Sequence, residues 1–217
     1  MVQQLDQPSL SRKTAVIRNK RKLFHTAIAD IFRCIDGKAV VSPFSQTLCL
    51  IDQMAWVELG HEKRRFNTWM ENRVAPLSMY YKQAIEELYL IRCGILHSFG
   101  PPAHKPEKYK GYLLIPCDSG LHLQRLNTPV LRICLYSLVT DVLYATHRTF
   151  EDLAEFCNDD QMERLESQIG IRGMKYPNSY SEMHKVLACF DTAGEVTHTD
   201  IRAAYTKEIL DSVNDIT

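Results

Sequence analysis

Arg92 and His97 are the two residues of this sequence whose types and spacing could do chemistry. They are separated by four residues near the end of an apolar, helix-favouring segment, LYLIRCGILHS, at positions 88–98. An arginine side chain is always charged and forms a planar fork that fits a phosphate. An imidazole can donate or accept a proton near neutral pH. Such a pair could cut RNA without a metal ion.

The place of Arg92 on the predicted helix, which runs over 78–97, is unusual. At about 100° per residue, Arg92 falls about 40° from the middle of the apolar stripe. A charge that faces packed surface is unfavourable unless it is paired or serves a site. His97 falls on the opposite side of a regular helix. Either the last turn therefore unwinds, or two copies of the helix share one site across a two-fold axis.

Other interpretations of these residues stay open at this point. Arg92 could form a salt bridge with Glu86 or Glu87. His97 could cap the end of the helix, and Cys93, next to the arginine, is a further candidate as a nucleophile. The 8 histidines are isolated and show no metal-ligand spacing, so the sequence predicts no metal ion and no cofactor.

Length and composition indicate a folded protein without a membrane segment. The 217 residues and the hydrophobic fraction of 45% allow one large domain. No apolar run approaches the roughly 20 residues that span a bilayer, and no basic start followed by an apolar stretch marks a secretory signal. The 7 cysteines are scattered and form no C-x-x-C pair, which is typical of reduced thiols. We therefore expect a cytoplasmic protein.

Charge is unevenly spread although the net charge is zero. Residues 1–150 hold 20 Lys and Arg against 12 Asp and Glu, and residues 151–217 hold 6 against 14. The basic part could attract a polyanion such as a nucleic acid. The asymmetry could equally reflect two solvated faces, or faces that attract each other in a dimer. No dense basic stripe stands out beyond the N-terminal part.

The elements that must position Arg92 and His97 are mainly helices. Apolar spacing predicts helices over 22–36, 43–60, 61–73 and 78–97. Another begins at Pro129, and short ones cover 161–169, 181–190 and 200–213. The fold class is thus mainly α, an antiparallel bundle with a small β-hairpin at about 111–127. We predict a basic arm over 1–20, a bundle over 21–158 and a helical extension over 159–217 that packs on the bundle.

The segment around Arg92 and His97 resembles the motif helix of the HEPN superfamily, the "higher eukaryotes and prokaryotes nucleotide-binding" domains. The defining motif of that superfamily is an arginine, four to six residues, and a histidine. Upstream, IDQMAW at 51–56 and RFNTWM at 65–70 resemble a bacterial and plasmid-borne branch of it. The resemblance spans about 45–100 and extends loosely to about 158. It departs at Cys93, where active members often have a polar residue such as Asn.

The resemblance implies a helical bundle that forms a homodimer through the motif helix. It implies a metal-independent endoribonuclease, used as a toxin or in phage defence, with Arg92 and His97 as catalytic residues. His97 would move the 2′-hydroxyl or leaving-group proton, Arg92 would stabilise the phosphate, and a 2′,3′-cyclic phosphate would result. RNA is the expected substrate, and an antitoxin or regulatory protein an expected partner. The alternatives are a dimer that binds a nucleotide or RNA without cutting it, and a helical interaction protein.

Overall fold

Helices dominate the structure, a computed structural model in which residues 7–98, 111–115, 121–125 and 129–167 are described. The first helices are α1 (Gln7–Asp36), α2 (Val41–Leu59) and α3 (Arg65–Trp69). A π-helical turn (Met70–Val74) and a 3-10 turn (Ala75–Leu77) lead to α4 (Tyr81–Ser98). The strands β1 (Tyr112–Ile115) and β2 (Leu131–Cys134) follow, and the helices α5 (Leu135–Phe156) and α6 (Asp159–Ser167) come last.

Helix α1 begins at Gln7, well before residue 22, where the sequence analysis placed its start. Part of the expected basic arm is therefore helical. Ile17, Phe24 and Ile31 are all buried and stand seven residues apart, so one apolar stripe runs through both segments. The ring of Phe24 meets that of Phe150 edge-on at a centroid distance of 5.1 Å, which joins α1 to α5.

Helix α2 agrees with the prediction for 43–60. Its apolar residues are buried on more than one side, because α1, α3, α4, α5 and α6 all pack against it. Gly60 ends the helix with φ 67°, a left-handed conformation that favours glycine. The backbone N–H of Gly60 donates to the carbonyl of Trp56 at 2.8 Å.

The predicted helix over 61–73 is shorter and less regular than expected. It consists of α3 and the π-helical turn, and Pro76 follows in the 3-10 turn. Phe66, Trp69 and Met70 are buried, as the apolar spacing indicated. Arg73, in the π-helical turn, pairs with Glu58 of α2 and with a carboxylate of α5.

The predicted β-hairpin over 111–127 is wrong. The two strands are parallel, and Tyr112 pairs with Leu131 in a register that runs to Ile115 and Cys134. The second strand lies where a helix starting at Pro129 was expected. Its side chains alternate at first, with Leu131 and Ile133 buried and Arg132 half-buried, which is the two-residue period of a strand. The segment at 121–124 makes only one antiparallel bridge, from Gln124 to Arg132.

Helix α6 fastens the end of the described chain onto α2. Arg164 donates to the carbonyls of Val57 and Glu58 at 3.0 and 3.2 Å, and Gln161 donates to Glu58 at 3.2 Å. These bonds satisfy carbonyls that the end of a helix leaves open. The helix predicted over 161–169 is thus found as α6, which is described as far as Ser167. The helices predicted over 181–190 and 200–213 lie outside the described residues.

Candidate active site

An ion pair between Arg92 and Asp52 lies at the centre of the candidate site. Asp52 is on α2, and its Oδ2 accepts a hydrogen bond from Nη2 of Arg92 on α4 at 2.6 Å. The side chains are 19% and 22% exposed, so both are mostly shielded from water. The predicted orientation of Arg92 towards packed surface is thus confirmed. Its expected pairing with Glu86 or Glu87 is not found, and Glu87 pairs with Arg125 instead.

Asp52 also faces a second cation. Its Oδ1 lies 3.6 Å from Nε of Arg65, at the start of α3. One carboxylate therefore holds two guanidinium groups from two helices. Burial works to lower the pKa of Arg92, but Asp52, with the thiols of Cys93 and Cys49, raises it above the ordinary value. Arg92 therefore stays charged at every physiological pH.

The pairing of Arg92 is incomplete among the described residues. Its Nε is fully enclosed and has no hydrogen-bond partner there. A buried polar group without a partner is uncommon and raises the free energy of the folded state. The guanidinium has five N–H donors, and the described residues use only part of them. Arg92 therefore has a donor that the described residues leave without a partner.

A cleft of about 630 Å³ opens beside this ion pair. Its wall is built by the turn between α2 and α3, by α3 and by the exposed face of α4. The lining side chains include four cations and three carboxylates: Lys63, Arg64, Arg65, Arg92, Asp52, Glu62 and Glu86. Lys63 and Arg64 are exposed, and neither has an ion-pair partner in the part of the chain that the structure describes. The cleft thus offers two exposed cations near a shielded third.

For His97 the structure describes the position of the backbone only. Helix α4 continues without a break to Ser98, so the last turn does not unwind before the histidine. Positions 92 and 97 are therefore about 140° apart around the helix axis. The side chain of His97 lies outside the described residues. The regular helix disagrees with the explanation in which the last turn unwinds, and a site shared between two copies stays a prediction.

Tyr89 and Cys93 border the ion pair on α4. The thiol of Cys93 is the largest of the causes that raise the pKa of the Tyr89 hydroxyl, followed by burial. Cys49 on α2 interacts electrostatically with Arg92 and Asp52, and burial raises the pKa of its thiol. A raised pKa keeps Cys49 protonated, which makes a poor nucleophile.

A buried polar chain that the sequence analysis missed joins α4, α5 and the sheet. Tyr81 donates to Asp141 at 2.9 Å, and Nε2 of His122 lies 3.0 Å from the Tyr81 oxygen. The backbone N–H of Cys134 donates to Nδ1 of His122 at 3.2 Å. Because Nδ1 accepts, the neutral ring carries its hydrogen on Nε2 and donates it to Tyr81. None of these residues lines the cleft, so this chain is a structural link.

A second buried histidine links α1 to α5. Nδ1 of His147 lies 3.0 Å from Nη2 of Arg21, which can only donate. Nε2 of the same ring lies 3.2 Å from a carboxylate oxygen of Glu151. Burial, before any charge effect, lowers the pKa of His147 below 6.5. The neutral ring suits Arg21, because its Nδ1 can accept from the guanidinium.

The described residues contain no cluster of three or more metal-ligating side chains that could hold a metal ion. None of the helices described is both long and apolar enough to cross a membrane. The candidate site is the cleft lined by Asp52, Arg65 and Arg92, with the exposed cations Lys63 and Arg64 beside them.

No protein-family model, no curated protein and no solved structure matches the chain.

Proposed function

We propose that this chain is a cytoplasmic, metal-independent endoribonuclease of the HEPN type that acts in a toxin or phage-defence role. The observation that supports it most is the setting of Arg92. The guanidinium is held by Asp52 at the wall of a cleft that is also lined by the exposed cations Lys63 and Arg64. A charge-assisted, fork-shaped donor in a shielded position is suited to a phosphate whose charge grows during reaction.

In this proposal Arg92 binds the scissile phosphate and stabilises the pentacoordinate transition state. His97 removes the 2′-hydroxyl proton or protonates the leaving 5′-oxygen. The 2′-oxygen attacks the phosphorus, the bond to the 5′-oxygen breaks, and the products are a 2′,3′-cyclic phosphate and a 5′-hydroxyl. A homodimer through α4 brings two copies of the motif to one site, and this arrangement agrees with the divergence of positions 92 and 97 around a regular helix. An antitoxin or another regulatory protein restrains the nuclease.

Cleavage assays test this proposal. A 3′-labelled RNA of mixed sequence is incubated, in EDTA, with the wild type and with Arg92→Ala, Arg92→Lys and His97→Ala. We expect each variant to lose about 100-fold or more in rate, because it lacks a group that acts in the transition state. Arg148→Ala is the matched control, since it removes an exposed arginine outside the cleft, and it should keep full activity.

The substrate supplies a second control. The same sequence with 2′-deoxy sugars lacks the nucleophile and should stay intact, and the RNA products should carry a cyclic phosphate. Thermal melts check that each variant is folded. Equal cleavage by all variants would identify a contaminant, and absence of both binding and cleavage by the wild type would refute the proposal.

A second candidate is a dimer that holds RNA or a nucleotide without cutting it. The contact between Asp52 and Arg92 favours it, because a carboxylate that already pairs the guanidinium also fits a purely binding or structural arginine. In that case RNA binding is lost in Arg92→Ala and unchanged in His97→Ala, and no cleavage is seen. Dimer loss with unchanged RNA binding would instead indicate an interaction protein.

A further inference from the structure

Tyr89 is an exposed aromatic side chain in a mostly polar cleft. It lies on α4, one helical turn before Arg92, and is 39% exposed. Among the large apolar side chains that the described residues expose, it is the one that lines the cleft. An aromatic ring left in water forgoes the free energy of burial. A ligand that covered the ring would recover this free energy.

The ring of Tyr89 packs against a second aromatic ring. Its centroid lies 5.6 Å from that of Phe66 on α3, at an interplanar angle of 54°. A ring fixed in this way loses little conformational entropy when a ligand stacks on it. Tyr89 is therefore a preformed flat surface rather than a mobile side chain.

The cations around this ring favour one class of ligand. Lys63 and Arg64 are exposed at the rim, and Arg92 is a neighbour of Tyr89 on the helix, where residues three apart have Cβ atoms about 5–6 Å from each other. Cations that follow a phosphate backbone, combined with an aromatic ring on which bases stack, are typical of sites for single-stranded nucleic acid.

We propose that Tyr89 forms a nucleobase subsite, in which an unpaired base next to the phosphate at Arg92 stacks on the ring. This rests on the proposed function of the cleft and adds its substrate class. A base inside a duplex has both faces covered by its neighbours, so only a single strand or a loop can occupy the subsite. The interaction is sequence-tolerant, because every base has an aromatic face.

Binding measurements on the full-length chain test the subsite. We use fluorescence anisotropy with a labelled 12-nucleotide RNA in the His97→Ala background, which is not expected to cut the probe. Stacking on an aromatic side chain is worth about 1–3 kcal/mol per base. Tyr89→Leu should therefore weaken binding of the single strand at least fivefold, while Tyr89→Phe stays within about twofold. The same RNA as a duplex should bind equally to all three.

Tyr80→Leu is the matched control. Tyr80 is 41% exposed just before α4 but lies outside the cleft, so its loss should leave binding unchanged. If Tyr89→Leu binds like its parent while Arg92→Ala does not, the subsite is refuted and the proposed function stands. If the parent does not bind RNA at all, both are refuted. A change of oligomeric state in Tyr89→Leu, measured by light scattering, would identify the ring as a subunit contact and overturn the subsite.

Discussion

Asp52 competes with a phosphate for Arg92, because its carboxylate already accepts a hydrogen bond from the guanidinium. In Asp52→Asn the side chain keeps an oxygen acceptor but loses its charge. We expect RNA to bind about fivefold more tightly, since a unit charge about 4 Å from a phosphate is worth about 1 kcal/mol in water. We expect slower cleavage, since Arg92 is no longer held in one orientation. Anisotropy and single-turnover rates measure the two effects.

Asp160→Asn provides the same change of net charge at an exposed position on α6 that does not line the cleft. Its RNA affinity and cleavage rate should equal those of the wild type. If both variants behave alike, the contact between Asp52 and Arg92 has no role in binding, and the pair only supports the fold.

The candidate site was partly predictable from residue patterns. The helical projection correctly placed Arg92 against packed surface, because that depends on local periodicity alone. The partner was not predictable from the projection, since 40 residues separate Asp52 from Arg92 in the chain. The rim cations were visible as three consecutive basic residues, 63–65. They were passed over because a short cluster in a turn is less conspicuous than a stripe along a helix.

Gly60 controls the junction between α2 and α6. Its φ of 67° is unfavourable for other residues, and a Cβ there would meet Nη1 of Arg164 at 3.1 Å. The guanidinium cannot move away without losing its bonds to the carbonyls at the end of α2. Gly60→Ala should lower the free energy of unfolding by about 2–4 kcal/mol, combining backbone strain with a lost charge-assisted bond. Urea denaturation at constant pH measures it.

Gly111→Ala separates the two contributions. Gly111 also has a positive φ, 101°, but a Cβ there would meet nothing within 4 Å. It should therefore show backbone strain alone and a smaller loss of stability. An equal loss in the two variants would mean that Arg164 adds nothing at the junction.

At the level of elements, long amphipathic helices were predicted well and the sheet was not. A helix such as α2 repeats its apolar pattern over many turns, so a few exceptions do not hide it. The strands have only four residues each, too few to distinguish the period of a strand from that of a helix. The Asp-Ser-Gly sequence at 118–120 favoured a hairpin, whereas parallel pairing brings in a strand from beyond the turn, which local sequence does not encode.

The stability of the whole molecule should depend on pH through His147. Its pKa is lowered by burial in the folded chain and returns to its ordinary value on unfolding. The unfolded state therefore binds more protons as the pH falls through 6.5. We expect the free energy of unfolding to be highest above that pH and to fall with acidification, until the folded ring is also protonated. Thermal melts between pH 8 and pH 5, roughly the range over which a histidine changes charge, measure the effect.

His147→Gln removes the titration and keeps an acceptor for Arg21. Its Tm should vary less with pH over the same interval. The wild type and the variant share all other histidines, so the difference between their curves of Tm against pH reports on His147 alone. The neighbouring charges of Arg21, Arg148 and Glu151 are also unchanged. Identical curves would contradict the assignment.

A row of hydrogen bonds runs from Cys134 through His122 and Tyr81 to Asp141, and every bond in it points the same way. This shared direction makes the junction of β2 and α5 sensitive to the protonation of one ring. A backbone N–H at one end can only give a hydrogen, and each later group passes one on in the same sense. The row thus runs from a donor at Cys134 to an acceptor at Asp141. An imidazole with a second proton would set its Nδ1–H against the N–H of Cys134, so the bond that fixes His122 to the junction of β2 and α5 would be lost.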